Sequence, residues 1–131
     1  MAIIRVVLAD DNEALLTEIS AMLAEEFEIV GTAEDGEEVI SAVQHSDPDV
    51  LVLDVSMPKL NGIQVATRLH DRGCRTKIVF LTIHEQANYI SAAFSVGGSA
   101  YVTKRHMARD LAPAVRAVFE GQTYVSPSLR S

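Results

Sequence analysis

A doubly wound α/β domain, a parallel sheet with helices on both faces, is the fold class this sequence predicts, and three observations predict it. Short apolar runs rich in β-branched residues, as strands buried on both faces require, alternate five times with amphipathic stretches. From the second amphipathic stretch onward, Pro or Gly punctuates each end. The length, 131 residues, falls in the usual range of one domain, about 100 to 150, and no linker, short repeat or low-complexity segment interrupts the alternation.

The elements follow in order. Ile3 to Ala9 is the first strand, and Leu15, Leu16, Ile19, Met22 and Leu23 recur behind it at helical spacing. Glu28 to Ala33 is the second strand, followed by a helix carrying Val39, Ile40 and Val43 and closed by Pro48. Val50 to Leu53 is the third, with a helix around Ile63 to Leu69 that Gly73 ends. Ile78 to Thr82 is the fourth, with a helix over Tyr89 to Val96 ended by Gly97-Gly98. Ala100 to Thr103 is the fifth, and Leu111, Val115 and Val118 mark a last helix ended by Gly121. Pro113 resists this pattern: it is tolerated only if that helix starts close to Asp110, and otherwise a kink is expected.

Composition narrows the functions. With 48% apolar and 22% charged residues the chain can bury one core, which excludes disorder. No apolar run approaches the roughly 18 residues of a membrane span, and Met1-Ala2-Ile3-Ile4 lacks a basic leader, so a cytoplasmic location without membrane contact is expected. Cys74 is the only cysteine, which rules out an internal disulfide and a cysteine metal cluster. Of the net charge of -7, residues 1–50 hold 13 acids against Arg5 alone, and residues 51–131 hold 5 acids against 10 bases. The acidic blocks are expected on solvated faces, and the balance disfavours unaided nucleic-acid binding.

The chemistry-bearing residues follow the strands. In open parallel sheets, ligands bind beyond the carboxyl ends of the strands, where the strand order reverses. With the flavodoxin-like order 2-1-3-4-5, Asp10 and Asp11 after strand one and Asp54 after strand three share one cleft, with Thr82 ending strand four and Lys104 following strand five. Two carboxylates ~4 Å apart repel by about 4 kcal/mol at an effective dielectric of 20, so three must bind a cation or a proton. Hard oxygen ligands with room for water and phosphate suit Mg2+. The Thr82 hydroxyl and the Lys104 ammonium then complete a pocket for a phosphoryl group. Singly, each has a plainer role: Asp10 to Asn12 as a helix cap, Asp54 as a turn acid ahead of Pro58, Thr82 as a structural strand end, Lys104 as a surface charge. Their convergence on one edge favours the site.

Leu8-Ala9-Asp10-Asp11-Asn12, Leu53-Asp54-Val55-Ser56-Met57-Pro58-Lys59-Leu60-Asn61-Gly62, Leu81-Thr82 and Ala100-Tyr101-Val102-Thr103-Lys104 resemble the motifs of the two-component response-regulator receiver domain, over residues 3 to about 121. Within it the chain is most similar to the NarL/FixJ (LuxR-type) subgroup, through Thr82-Ile83-His84 and Gly121-Gln122-Thr123-Tyr124-Val125-Ser126-Pro127. The resemblance implies Asp54 as phosphoacceptor, Asp10, Asp11 and Asp54 with the Ser56 backbone carbonyl at a Mg2+ site, and Thr82 and Lys104 on the phosphate oxygens. Tyr101 matches an aromatic switch position that turns inward when the Thr82 hydroxyl is drawn toward phosphate; a half-buried strand tyrosine is the equal alternative. Three features depart from the pattern. Arg105 replaces the proline that often follows the lysine in a cis peptide, so a trans joint is expected; Ile83 is bulky where a small residue is common; and His84 and Ser56 occupy variable positions that tune dephosphorylation. The basic segment Lys104 to Arg109 is expected to be a solvated face, with a docking surface as the alternative.

The expectation is a receiver domain over residues 1–122 with a tail or linker start at 123–131, phosphorylated by a sensor histidine kinase, dimerising with a second copy, and controlling transcription through a C-terminal DNA-binding effector outside these residues. A single-domain regulator acting by protein contacts is the alternative. It is not expected to turn over substrate as an enzyme does: an aspartate-nucleophile phosphatase commonly carries a second acid two residues after the nucleophile, where Ser56 stands. A flavin or nucleotide module would need a Gly-rich loop where Asp10-Asp11-Asn12-Glu13 stands. The intact acids, Thr82 and Lys104 argue against a degenerate receiver. No stretch is left for a recognition helix, so sequence-specific DNA binding by these residues alone is not expected.

Overall fold

The structure is a computed structural model that describes residues 3–129. Met1 and Ala2, part of the segment without a basic leader, and Arg130 and Ser131 of the tail lie outside the described residues. The strands are β1 (Arg5–Ala9), β2 (Glu28–Ala33), β3 (Val50–Leu53), β4 (Lys77–Thr82), β5 (Ala100–Thr103) and β6 (Tyr124–Val125). The helices are α1 (Glu13–Leu23), α2 (Gly36–Ser46), α3 (Gly62–Asp71), α4 (Ala87–Ser95) and α5 (Met107–Phe119), with short 3-10 turns at Lys104–His106 and Pro127–Leu129. All strand pairs are parallel, in the order β2-β1-β3-β4-β5-β6.

Alternation along the strands divides the core in two. Val6, Leu8, Val50, Val52, Val79, Leu81, Ala100 and Val102 face α1 and α5, where Leu16, Ile19, Leu111, Val115 and Val118 meet them. Val7, Leu51, Leu53, Ile78, Phe80 and Tyr101 face the other way, onto Val39 and Val43 of α2, Val65 and Leu69 of α3 and Ala93 of α4. The period of two sends successive side chains to opposite layers, and each fully buried Val or Leu contributes about 1.5–3 kcal/mol. Gly73, Gly97 and Gly121 take positive φ after α3, α4 and α5, as their placement at helix ends requires. No helix among the described residues is long and apolar enough to cross a membrane.

Two features differ from the sequence reading. Five strands are expected and six form: Tyr124 and Val125 pair with Ala100 and Tyr101 at the sheet edge. Two residues carry too little periodicity to announce a strand, and their pairing depends on α5 returning the chain beside β5. The condition set for Pro113, a helix starting close to Asp110, is not met, because α5 begins at Met107 and holds Pro113 in its interior. Proline there removes the hydrogen bond to the carbonyl four residues back, that of Arg109.

Asp110, on the first turn of α5, is buried and ties the helix to the edge strand. Its carboxylate accepts from Arg109 Nε at 2.9 Å, Arg109 Nη2 at 3.2 Å and Tyr124 Oη at 3.3 Å. The Arg109 guanidinium holds the carboxyl below the usual aspartate range, against the effect of burial, with help from the Ser126 and Tyr124 hydroxyls. A depressed carboxylate pKa stabilises the fold above the unfolded value and loses that contribution as pH falls through the folded one. Asp110→Asn is therefore expected to lower stability by about 1 kcal/mol at neutral pH, the exposed Arg109 limiting the size, with the gap closing as pH drops below about 4. Urea unfolding of both proteins across that range checks it; a gap independent of pH would exclude the carboxylate charge as the cause.

Candidate functional site

Strand register assembles the site. Ala9 of β1 lies opposite Leu53 of β3, so Asp10 and Asp54 leave the sheet side by side. The ladder runs one step further on each: Asp54 N–H donates to the Ala9 carbonyl at 3.1 Å and Asp10 N–H to the Ala33 carbonyl at 3.0 Å. Thr82 of β4 lies opposite Thr103 of β5, so Lys104 starts one residue beyond Thr82 on the neighbouring strand. Asn12 caps α1, its side chain accepting the Leu15 N–H at 3.1 Å. The capping role expected somewhere in Asp10 to Asn12 thus falls to Asn12, while an Asp10 oxygen accepts the Asn12 N–H at 2.9 Å.

The loop after Asp54 is held from both ends. Gly62 N–H donates to the Val55 carbonyl at 2.7 Å, and a Cβ on Gly62 would collide with the Asp54 carbonyl. Gly36 at the start of α2 is equally close to Leu60, and its N–H donates to the Pro58 carbonyl at 3.3 Å. Lys59, at φ 67°, places its ammonium 3.5 Å from Asp35 and 3.9 Å from Glu37. Part of the acidic block on α2 therefore faces this loop rather than solvent alone.

Oxygens of Asp10, Asp11 and Asp54 all lie within 4.8 Å of one another. Asp10 is 2% and Asp54 5% exposed, whereas Asp11 is open to solvent. Lys104 Nζ reaches 2.6 Å from Asp10 Oδ2 and 3.1 Å from Asp54 Oδ2. Asp10 Oδ2 is buried, and its partner among the described residues is the Lys104 ammonium. Burial pushes the Asp54 carboxyl above its ordinary value, opposed by the Lys104 charge and reinforced by Asp10. Burial works to lower the Lys104 ammonium, but the Asp10 and Asp54 carboxylates outweigh it and hold it above its ordinary value. One ammonium pairs with two of the three clustered carboxyl groups, which leaves charge that a hard cation would offset. The donor set, all carboxylate oxygen with one member open to solvent, fits Mg2+.

The other expected residues sit around this cluster. Thr82 is fully buried and its hydroxyl accepts the His84 N–H at 3.3 Å; among the described residues it makes no hydrogen bond to the three acids. Tyr101 is buried completely rather than by half, and its hydroxyl donates to the His84 carbonyl at 2.7 Å. Burial raises its pKa far above the usual tyrosine value. Ser56 is exposed: its N–H donates to Asp54 Oδ1 at 3.3 Å and its hydroxyl lies 2.9 Å from His84 Nε2. The His84 ring stacks on Tyr89 with centroids 4.2 Å apart. Ile83 is 70% exposed. No peptide bond among the described residues is cis, so the joint at Arg105 is trans as expected.

Two features here had no sequence signal. Arg105 and Arg109 of the basic segment are exposed, as expected of a solvated face, and each also pairs with a carboxylate, Arg105 with Glu85 at 2.8 Å and Arg109 with Asp110 at 2.9 Å. Glu85 also accepts the Thr103 hydroxyl at 2.7 Å. Its partners lie 18 and 20 residues along the chain, beyond any local pattern.

Comparison with known proteins agrees with this geometry. The sequence profile of the response regulator receiver domain matches residues 6–116. The transcriptional regulatory protein DegU of Brevibacillus brevis is 34% identical over 128 residues, an alignment covering 96% of this chain and 54% of DegU. The chain thus spans about half the length of that relative. A LuxR-family two-component response regulator from an Aurantimonas species superposes with a TM-score of 0.93 at 25% identity, covering 98% of this chain and 93% of that one. The isolated receiver domain of RcsB from Salmonella enterica serovar Typhimurium, solved in the presence of the phosphomimetic BeF3-, gives 0.89 at 26% identity, covering 98% and 96%.

Proposed function

Because this chain belongs to the response regulator receiver domain family, we propose that it is a phosphorylation-activated switch whose Asp54 accepts a phosphoryl group from a sensor histidine kinase. The observation that carries this reading is the placement of Asp54 beside Asp10, with Lys104 Nζ on both carboxylates. A carboxylate oxygen of Asp54 attacks phosphorus, the phosphorus–nitrogen bond of the donor imidazole breaks, and an acyl phosphate results. Lys104 balances charge on the transferring oxygens, and Thr82 offers its hydroxyl to one of them. Mg2+ held by Asp10, Asp11, Asp54 and the Ser56 carbonyl would neutralise charge on acids and phosphoryl group alike. Hydrolysis later restores the Asp54 carboxylate and releases phosphate, so the chain modifies itself rather than turning over a substrate pool.

The signal leaves through β4 and β5. Phosphate that draws in the Thr82 hydroxyl takes it from the His84 N–H and shifts the carbonyl on which Tyr101 rests, a two-state element biased by local charge. DegU is a transcriptional regulator, and the expected output here is transcription, through a DNA-binding effector joined beyond β6 and a dimer formed on phosphorylation. The cytoplasmic location belongs to the same proposal, as does the domain boundary, which falls beyond β6 rather than at residue 122 because Tyr124 and Val125 pair with β5.

The test is intact mass after incubation with a small acyl-phosphate donor, with and without Mg2+. One phosphoryl group is expected, and only with the metal. Asp11→Ala is expected to weaken Mg2+ binding at least tenfold, followed by thermal shift, and to slow labelling in step, because it removes the one solvent-open carboxylate of the cluster. Metal-independent labelling, or an unchanged affinity in the mutant, would overturn the metal assignment.

A further inference from the structure

We infer that Glu85 is a positioning residue for Lys104, fastening the two residues that flank the lysine to the β4–α4 loop. Glu85 Oε2 accepts the Thr103 hydroxyl at 2.7 Å and Arg105 Nε at 3.1 Å, while Oε1 accepts Arg105 Nη2 at 2.8 Å. A single carboxylate thus holds residues 103 and 105, and the side chain between them must span the cleft to two acids. Arg105 carries no ring to restrain this joint, and the two-pronged hold of Glu85 on its guanidinium provides the restraint. The Tyr101 hydroxyl bond to the His84 carbonyl ties the same strand to the same loop one step away.

The energetic scale separates positioning from stability. The Arg105 side chain is 60% exposed and Glu85 33%, and ion pairs so open to water contribute little to folding. Arg105 nonetheless holds the Glu85 carboxyl below its ordinary value, with the Thr103 hydroxyl adding to the effect. Lys104, by contrast, must keep its ammonium within hydrogen-bond reach of Asp54, where an error of about 1 Å can cost up to a hundredfold in rate. Loss of Glu85 should therefore be felt in the lysine and in the reaction, and hardly in the fold.

This inference rests on the phosphoacceptor reading for its kinetic arm, and its spectroscopic arm stands without it. In Glu85→Ala of the full 131-residue chain, the Lys104 Nζ resonance in 15N NMR is expected to shift and broaden toward that of a free lysine, with the melting temperature within a degree or two of wild type. With a small acyl-phosphate donor and Mg2+, Glu85→Ala is expected to label about tenfold more slowly, a loss that vanishes when the Lys104→Met variant is the background. Glu85→Gln, which keeps an acceptor for Thr103, should fall between. If wild type is not labelled at all, the phosphoacceptor reading fails and the lysine resonance alone decides. An unchanged resonance in Glu85→Ala overturns the inference, as does an equal loss of rate with and without Lys104.

Discussion

Asp54→Asn is expected to fold as the wild type does and to take up no phosphoryl group. The side chain is nearly isosteric, so the amide oxygen can keep the Ser56 N–H bond and Lys104 keeps Asp10 as its partner. What disappears is the anionic nucleophile, for which no neighbour substitutes. Asp10 leaves the sheet from β1 rather than the central β3 and is assigned to the metal, and Asp11 makes no ion pair with Lys104 among the described residues. Labelling measured by intact mass should fall from one group to none, with an unchanged circular dichroism spectrum. Equal labelling of the mutant would remove Asp54 from its role.

Gly62→Ala is expected to cost about 3 kcal/mol or more, a large effect for one methyl group. A Cβ at this position meets the backbone carbonyl of Asp54 and the Val55 Cα, and backbone cannot swing aside as a flexible side chain does. Relief requires either moving the start of α3, where the Asn61–Gln64 capping box and the Gly62 N–H bond to Val55 hold it, or moving Asp54 itself. Both outcomes reach the site, so the urea midpoint should fall and the residual folded protein should label slowly. A midpoint within experimental error of wild type would show that the loop is looser than this packing indicates.

The strands, the helices and, once the flavodoxin-like order is adopted, the Asp10, Asp11 and Asp54 cluster were legible in the sequence, because the elements rest on local signals. Strands buried on both faces must be apolar and β-branched whatever surrounds them. Helical spacing requires only the chain itself, and residues after parallel strands share one edge once the order is set. Asp10, Asp54 and Lys104 meet for that reason. Positive φ at Gly73, Gly97 and Gly121 follows from the same local chemistry.

Tertiary structure alone decided the rest, and in each case the determining partner is remote in sequence or the local signal is too short. The Tyr124–Val125 strand exists because α5 returns the chain to the β5 edge. Pro113 is carried inside α5 because Leu111, Ala114, Val115 and Val118, buried against the sheet, hold the helix on both sides of it. Tyr101 could be read equally as switch residue or ordinary strand residue, and its complete burial with a bond to the His84 carbonyl came only with the β4–α4 loop in place. Arg105 belongs to a basic run in the sequence, yet the fold gives it the carboxylate of Glu85, 20 residues back. Periodicity reports which face of an element is apolar; that Arg105 meets Glu85 across 20 residues of chain depends on the relative placement of elements, which periodicity does not carry.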